Sequence, residues 1–159
     1  MLKEMSNNQA ILLLGSNIDP VTNIQKALEL LNFSLEISKR SNLWKTGAVG
    51  SKGPDFLNMA VEVKTSRKAD QLKTEIISSI ERELKRIRTA DKYAQRTIDI
   101  DIIIFNGRVL DLNIWTKLFI ALPVSEIFPY LTNNSTGETL IEIVEKIKSS
   151  ANAELFKDY

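Results

Sequence analysis

The sequence of 159 residues contains no cysteine and no histidine. Without cysteine, the chain can form no disulfide, no thiolate metal site and no cysteine nucleophile. Without histidine, it lacks the usual general base, the commonest zinc ligand and every Ser-His arrangement. Any catalysis would therefore depend on carboxylates, lysine, arginine and bound metal.

The sequence also lacks an excess of one charge and any long apolar run. Its 21 basic and 20 acidic residues leave a net charge of +1, which predicts no general attraction to nucleic acid or to a membrane surface. The apolar run from Ile11 to Leu14 is too short for a membrane span or a signal-peptide core. We therefore expect a cytoplasmic protein with a single domain over residues 1–159, frayed at residues 1–8 and 151–159.

What the sequence does contain is a regular alternation of strand and helix patterns. Asp19 followed by Pro20 is typical of a helix start, and Asn106-Gly107 is typical of a hairpin turn. Ser135 and Glu138 have the spacing of a capping box before the last helix. Pro123 begins what reads as a short helical turn over residues 123–130. The order β-α-β-β-α-β predicts a ferredoxin-like α+β fold, with helices on one face of a mainly antiparallel sheet and a C-terminal helix added.

The strand that begins after Arg96 carries the strongest chemical signal. Apolar and polar residues alternate up to Ile102, so Asp99 and Asp101 should share one side of the strand. Paired carboxylates suit Mg²⁺, which typically takes one or two carboxylates together with substrate phosphates. The alternative is the solvated polar face of an edge strand, which is the commoner meaning of an isolated Asp-x-Asp pattern.

Charged side chains are also concentrated in the stretch before this strand. Arginines beside paired carboxylates suit phosphoryl transfer, because guanidinium groups neutralise charge that moves between phosphates. The alternative is a solvated helix face with internal ion pairs such as Glu81–Lys85. The charged group comprises Glu81, Arg86, Arg88, Lys92, Arg96, Asp99 and Asp101.

An aromatic and an amide side chain share one face of an earlier strand. Phe56 and Asn58 lie two residues apart and would offer a flat heterocycle a stacking plane and a hydrogen-bonding edge. The alternative is that Phe56 belongs to the core, which is the commoner place for such a side chain. Taken alone, this pair does not decide between the two readings.

These pieces occur together, and in the order found in one family of folate-pathway enzymes. The sequence resembles 6-hydroxymethyl-7,8-dihydropterin pyrophosphokinase, and the resemblance covers most of residues 10–147. Its most specific part is the segment Arg96-Thr97-Ile98-Asp99-Ile100-Asp101-Ile102. The other matching segments are Leu14-Gly15-Ser16-Asn17, Pro54-Asp55-Phe56-Leu57-Asn58-Met59-Ala60-Val61, Glu81 to Arg88, and Pro123 with Glu126-Ile127 and Pro129.

The resemblance implies a reaction and a set of catalytic residues. It implies the ferredoxin-like fold and transfer of the pyrophosphoryl group of ATP to the hydroxymethyl group of the pterin, with release of AMP. Asp99 and Asp101 would hold two Mg²⁺ ions between ATP and the acceptor oxygen. Arg88 would belong to a closing loop. The catalytic residues implied in this way are Arg86, Arg88, Arg96, Asp99 and Asp101.

The resemblance also implies which residues bind each substrate. Phe56 and Phe119 would stack on the two faces of the pterin, and Asn58 would bond to its edge. The partners implied are ATP and hydroxymethyldihydropterin, with no nucleic acid and no membrane, for a protein expected to be a monomer. The pterin-binding residues would be Thr46, Val49, Phe56, Asn58 and Phe119, and the nucleotide-binding residues would be Glu81, Arg86, Arg96 and Ile102.

One region departs from the family pattern. Family members usually carry a Pro-His pair before the second stacking aromatic, whereas the segment from Leu112 to Lys117 is shorter and contains no histidine. This leaves open a second reading, a pterin- or nucleotide-binding relative with impaired catalysis. A third reading, an RNA-binding module of the same topology, is disfavoured because neither outer-face aromatics nor a net basic charge is evident.

Overall fold

The computed structural model describes residues 6–47, 55–85, 97–150 and 153–156. Val49, Arg86, Arg88 and Arg96 lie outside the described residues, as does most of the predicted closing loop. The described strands are β1 (Asn8–Ser16), β2 (Glu36–Arg40), β3 (Trp44–Thr46), β4 (Phe56–Thr65), β5 (Asp99–Phe105), β6 (Arg108–Val109) and β7 (Ala153–Leu155). They form one sheet in the order β6-β5-β1-β4-β3-β7, with β2 also paired to β4, and each pairing is antiparallel.

The helices connect and cover these strands. Helix α1 begins at Pro20 with Asp19 as N-cap, as the sequence predicts, although Asp19 has a left-handed φ of 38° and makes no side-chain cap. None of the described helices is long and apolar enough to cross a membrane. The helical segments are α1 (Pro20–Ser34), the continuous run of α2 (Ala69–Gln71), a π-helical stretch (Leu72–Ile77) and α3 (Ser78–Leu84), a 3₁₀ turn (Leu112–Trp115), α4 (Leu118–Ile127) and α5 (Leu140–Ile147).

The central strand β1 is buried on both faces of the sheet. Leu12 and Leu14 belong to a core that includes residues of α1 and α3, whereas Ile11 and Leu13 belong to a second core with residues of α4 and α5. Phe56 and Asn58 share one face of β4, as the sequence predicts, because the alternating residues of the opposite face all belong to the first core. These residues are Leu57, Met59, Val61 and Val63. The ferredoxin-like arrangement is thus confirmed, and α4 and α5 add a helical layer on the opposite face.

Helix α4 is longer than the sequence predicts. The pattern indicates only a short helical turn from Pro123, but the helix begins at Leu118 and carries Pro123 in its interior. Proline removes a backbone donor and disfavours such a position. Most side chains of α4 are buried against the sheet and α5, so tertiary packing offsets this cost.

Some described residues inside the stretches predicted to be frayed, 1–8 and 151–159, belong to strands. Strand β1 already begins at Asn8, and residues 153–155 form β7, which pairs with β3. The backbone N–H of Phe156 donates to the carbonyl of Leu43 at 2.9 Å. The short strand β3 would otherwise present an unpaired edge, and the C-terminal segment satisfies it.

Candidate functional site

The strand register places the predicted site residues in rows across the sheet. Gly15 of β1 is opposite Asn58 of β4 on one side and Asp99 of β5 on the other. Leu13 is opposite Asp101 in the next row on the same face. Residues that are far apart in the sequence therefore meet on one face of three adjacent strands.

A pocket of about 250 Å³ lies over this face of the sheet and is called the first pocket. Phe56 of β4 and Phe119 of α4 both line it, together with both aspartates. The structure therefore brings together all the predicted pterin-binding residues that it describes. The first pocket is lined by Leu13, Gly15, Thr46, Gly47, Phe56, Asn58, Asp99, Asp101 and Phe119.

The amide of Asn58 has a fixed orientation in the first pocket. Asn58 is buried, and its Nδ2 donates a hydrogen bond of 2.9 Å to Oγ1 of Thr46. A Cβ atom placed on Gly15 would lie only 2.9 Å from Oδ1 of Asn58. Glycine at position 15 therefore leaves room for this amide. The sequence offered Gly15 only as part of a matching segment, and its role becomes visible once the two strands are paired.

A second pocket, of about 390 Å³, lies beside the first along β5. Ile102, predicted to bind nucleotide, lines this second pocket. Asp101 also lines it and is the residue that the two linings share. The second pocket is lined by Ala69, Asp70, Lys73, Ile77, Ile100, Asp101, Ile102, Leu110 and Asp111.

Glu81, predicted to bind nucleotide, contacts the backbone of β5 in the structure. Its Oε2 accepts a hydrogen bond of 3.2 Å from the backbone N–H of Ile100, between the two aspartates of β5. Lys85 Nζ lies 3.8 Å from the same oxygen, so the helix-internal ion pair is present as well. Glu81 is not among the residues that line either pocket. It ties α3 to the backbone that carries Asp99 and Asp101.

Ser16 fixes the chain just before β5, a function that the sequence analysis missed. The side chain is fully buried, and its Oγ lies 2.5 Å from the carbonyl oxygen of Thr97 and 3.0 Å from that of Ile18. A serine hydroxyl has a single proton, so these two acceptors share one donor. Because Thr97 lies two residues before Asp99, this contact helps to position the first carboxylate.

The carboxylates of the site suit a hard cation that keeps open coordination positions. Within the described ranges, no group of three or more His, Cys, Asp or Glu residues could enclose a metal ion. Mg²⁺ is usually bound by one or two carboxylates, with substrate phosphates and water completing an octahedron. Asp99 and Asp101 fit this donor set, because both line the first pocket and one also lines the second.

The chain is similar in sequence to known proteins of one enzyme family. The family model for 7,8-dihydro-6-hydroxymethylpterin-pyrophosphokinase (HPPK) matches residues 11–129. The 2-amino-4-hydroxy-6-hydroxymethyldihydropteridine pyrophosphokinase of Bacillus subtilis is 34% identical over 143 residues, covering 82% of this chain and 84% of that relative. A protein of the same name from Synechocystis sp. is 29% identical over 153 residues, covering 89% and 77%.

A solved structure shares the fold. Wild-type Plasmodium falciparum HPPK-DHPS matches with a TM-score of 0.72 at 17% identity, over 93% of this chain and 43% of that chain. The chain thus spans less than half of the crystallised protein. At this identity the likeness shows the fold alone.

The fold and the family match together indicate a transferase domain, in which two pockets share the strand-borne carboxylate of Asp101. The chain belongs to the 7,8-dihydro-6-hydroxymethylpterin-pyrophosphokinase family. It is a pyrophosphokinase, and its family supports pyrophosphoryl transfer from ATP to hydroxymethyldihydropterin in folate synthesis. The reading as a relative with impaired catalysis is not favoured.

Proposed function

We propose that this chain is an ATP-dependent diphosphotransferase in which the pterin occupies the first pocket and the nucleotide the second. The observation that carries this assignment is that Asp101 lines both pockets. If ATP, the pyrophosphoryl donor, and the pterin acceptor lie on either side of one carboxylate, both can contact the cation that this carboxylate holds.

In the first pocket, the chain would hold and orient the pterin. Phe56 and Phe119 supply aromatic surfaces for a flat ring. The hydrogen bond from Asn58 Nδ2 to Thr46 uses one of the two donors of that amide nitrogen and fixes the orientation in which Oδ1 would accept from ring N–H groups. Gly15 and Leu13 form the floor beneath them.

The reaction would need a cation to neutralise the charge of the phosphates, and the chain has no histidine to act as a base. Asp99 and Asp101 would hold two Mg²⁺ ions, which supply charge neutralisation on the phosphates when bound. The hydroxymethyl oxygen forms a bond to the β-phosphorus of ATP, the bond from that phosphorus to the α–β bridging oxygen breaks, and the hydroxyl proton is released. The products are AMP and the pterin diphosphate.

The proposed nucleotide site includes some residues that the structure describes and three arginines that it does not. Ile102 lines the second pocket, and Glu81 supports the strand beside it. Arg86 and Arg96 would bind phosphates, since arginine pairs with phosphate through two parallel hydrogen bonds. Arg88 would act from the closing loop. These three arginines lie outside the described residues.

Product analysis tests the proposal directly. The protein is incubated with ATP, Mg²⁺ and hydroxymethyldihydropterin, and the nucleotides are separated by chromatography. We expect AMP to form together with the pterin diphosphate, and to stop forming when EDTA is added or the pterin is omitted. Formation of ADP instead, or AMP release that does not depend on pterin, would contradict the proposal.

A further inference from the structure

Glu126 connects two parts of the protein that flank the first pocket. Its carboxylate accepts three hydrogen bonds: from Trp44 Nε1 at 2.5 Å, from Asn42 Nδ2 at 2.6 Å and from the Asn42 backbone N–H at 3.2 Å. Glu126 lies on α4, whereas Trp44 begins β3 and Asn42 lies two residues before it. A single side chain therefore joins this helix to the edge of the sheet.

Each of the two connected parts carries one side of the first pocket. Helix α4 carries Phe119, which is one of the two aromatic residues that line the first pocket. Strand β3 carries Thr46, which holds the amide of Asn58 at 2.9 Å. The distance between α4 and β3 therefore sets how far Phe119 stands from the hydrogen-bonding side of the pocket.

The remaining contacts of α4 are poorly suited to fixing this distance. The helix is apolar around most of its circumference, and its buried residues pack on the second core. Hydrophobic contacts are largely non-directional, whereas hydrogen bonds restrict both distance and angle. Pro123 has no N–H to donate to the carbonyl of Phe119, so one backbone hydrogen bond is missing from the stretch of helix that joins Phe119 to Glu126. Directional contacts from Glu126 would compensate for this weakened segment.

We propose that Glu126 is a positioning residue that fixes α4 against β3 and thereby sets the width of the pterin-binding pocket. This inference rests on the proposed function, because it takes the first pocket as the acceptor site. The side chain does not line the pocket, so its effect on the substrate is exerted through Phe119 and Thr46. The nucleotide site does not depend on this contact.

Two substitutions separate geometry from charge. Glu126→Ala removes all three hydrogen bonds, and we expect the dissociation constant for the pterin to rise about 10-fold. Glu126→Gln keeps an oxygen for Trp44 Nε1, and the Asn42 amide can turn its own oxygen toward the new NH₂ group. We expect this variant to stay within about 3-fold of the wild type. Affinity for an ATP analogue with Mg²⁺ should change by less than about 2-fold in both.

A matched control loses a comparable charged contact elsewhere. Glu138 accepts a hydrogen bond of 2.6 Å from Lys146 and lines neither pocket. That bond lowers the pKa of the Glu138 carboxyl, so the group is ionised at neutral pH. Glu138→Ala should leave the affinity for the pterin unchanged.

Pterin binding is measured by calorimetry at saturating ATP analogue and Mg²⁺, and turnover gives KM and kcat separately. Unchanged pterin affinity in Glu126→Ala, or an equal loss for both substrates, would overturn the proposal. If Glu126→Ala does not fold, Trp44→Phe, which removes one donor, must weaken pterin binding by about 3-fold. Because binding is measured without turnover, a wild type that binds pterin but forms no AMP would contradict the proposed function and leave this inference standing.

Discussion

At the scale of single residues, Gly15 shows how closely two strands approach beneath the first pocket. Its backbone lies beside the amide of Asn58, and that amide is held by Thr46. A larger residue would push the amide away from the position in which it can bond to a ligand. Position 15 therefore connects strand packing directly to substrate binding.

Gly15→Ala should weaken pterin binding as well as the fold. The new Cβ would stand 2.9 Å from Oδ1 of Asn58, so the amide must move. We expect a loss of about 1–3 kcal/mol in the free energy of unfolding, as in other overpacked sites. We also expect pterin affinity to fall by about 10-fold. Urea denaturation and calorimetry measure the two effects.

Gly47→Ala is the matched control, because Gly47 lines the same pocket but has more space. Its new Cβ would meet Oδ1 of Asp55 at 3.9 Å, an ordinary contact distance. This variant should retain most of its pterin affinity. Equal losses in the two variants would mean that contact with the Asn58 amide is not the cause.

The sequence alone predicts some of these residues and not others. Asp99 with Asp101, and Phe56 with Asn58, are separated by two positions on a strand, so periodicity alone places each pair on one side. The structure confirms that all four line one pocket. Gly15, Ser16 and Glu126 act through partners that are distant in the sequence. Their roles depend on strand register and helix docking, which local patterns do not encode.

At the scale of elements, α5 has a different cap from the one that the sequence suggests. Ser135 and Glu138 have the right spacing, but the structure places the capping box at Thr139 and Glu142. Glu142 N–H donates to Oγ1 of Thr139 at 3.4 Å, and Thr139 N–H donates to Oε2 of Glu142 at 3.2 Å. The turn that ends at Gly137, with a φ of 76°, delays the start of the helix.

Thr139→Ala should therefore destabilise the protein, whereas Ser135→Ala should not. Loss of an N-cap side chain costs about 1 kcal/mol in the free energy of unfolding. Because Ser135 is exposed, Ser135→Ala should lower the free energy of unfolding by less than about 0.5 kcal/mol. Denaturant unfolding of both variants measures the difference. If Ser135→Ala loses more free energy of unfolding than Thr139→Ala, the result would support the cap at Ser135 that the sequence suggests.

The segment from Leu112 to Lys117 is the element in which this chain departs from its family pattern. It forms a short 3₁₀ turn, capped by Asp111 through a hydrogen bond of 3.0 Å from the Asn113 N–H. Asp111 and Leu110, just before this turn, line the second pocket. Where relatives usually place a Pro-His loop, this chain therefore has a compact turn.

Restoring a Pro-His loop here should strengthen nucleotide binding. A hydrogen bond to a charged phosphate contributes about 1.5–3 kcal/mol, which corresponds to about 10- to 100-fold in affinity. Calorimetry with an ATP analogue, with and without Mg²⁺, should show tighter Mg²⁺-dependent binding in the restored variant. An insertion of equal length containing only Gly and Ser is the control. Equal affinities for the wild type and the restored variant would mean that this segment makes no nucleotide contact.

Elements are predictable where their pattern is local. Strand β4 follows strict alternation and was predicted correctly, because one residue in two faces the first core. Helix α4 is apolar around most of its surface, since it is buried between the sheet and α5, and it therefore lacks a helical period. Strand β7 has three residues and is ordered by pairing with the edge of β3. No local pattern distinguishes such a segment from a frayed terminus.

At the scale of the whole molecule, the sheet brings the two pockets together. Strand β5 lies between β1 and β6, and its aspartates extend from the face that α4 covers. The second pocket is lined from α2, the π-helical stretch, β5 and the residues after β6. The two helical layers on opposite faces of the sheet thus contribute lining residues to one pocket each, and β5 contributes lining residues to both pockets.

In the proposed mechanism, Asp99 and Asp101 would act as one unit that holds Mg²⁺ where the two pockets meet. Asparagine at either position keeps the size of the side chain and removes the charge that holds the cation. Pterin affinity should survive better than turnover, because it depends on Phe56 and Asn58. Asp19→Asn is a suitable control, since Asp19 lines neither pocket and asparagine tolerates its left-handed backbone.

The most direct test is the rate of AMP formation by Asp99→Asn, Asp101→Asn and the double variant at saturating Mg²⁺. We expect each single variant to lose about 100-fold or more in turnover, equivalent to about 2.7 kcal/mol in the activation barrier. The double variant should be little slower than the slower single one, because both residues serve one metal cluster. Near-normal AMP formation by either single variant would contradict the assignment of these carboxylates to the metal site.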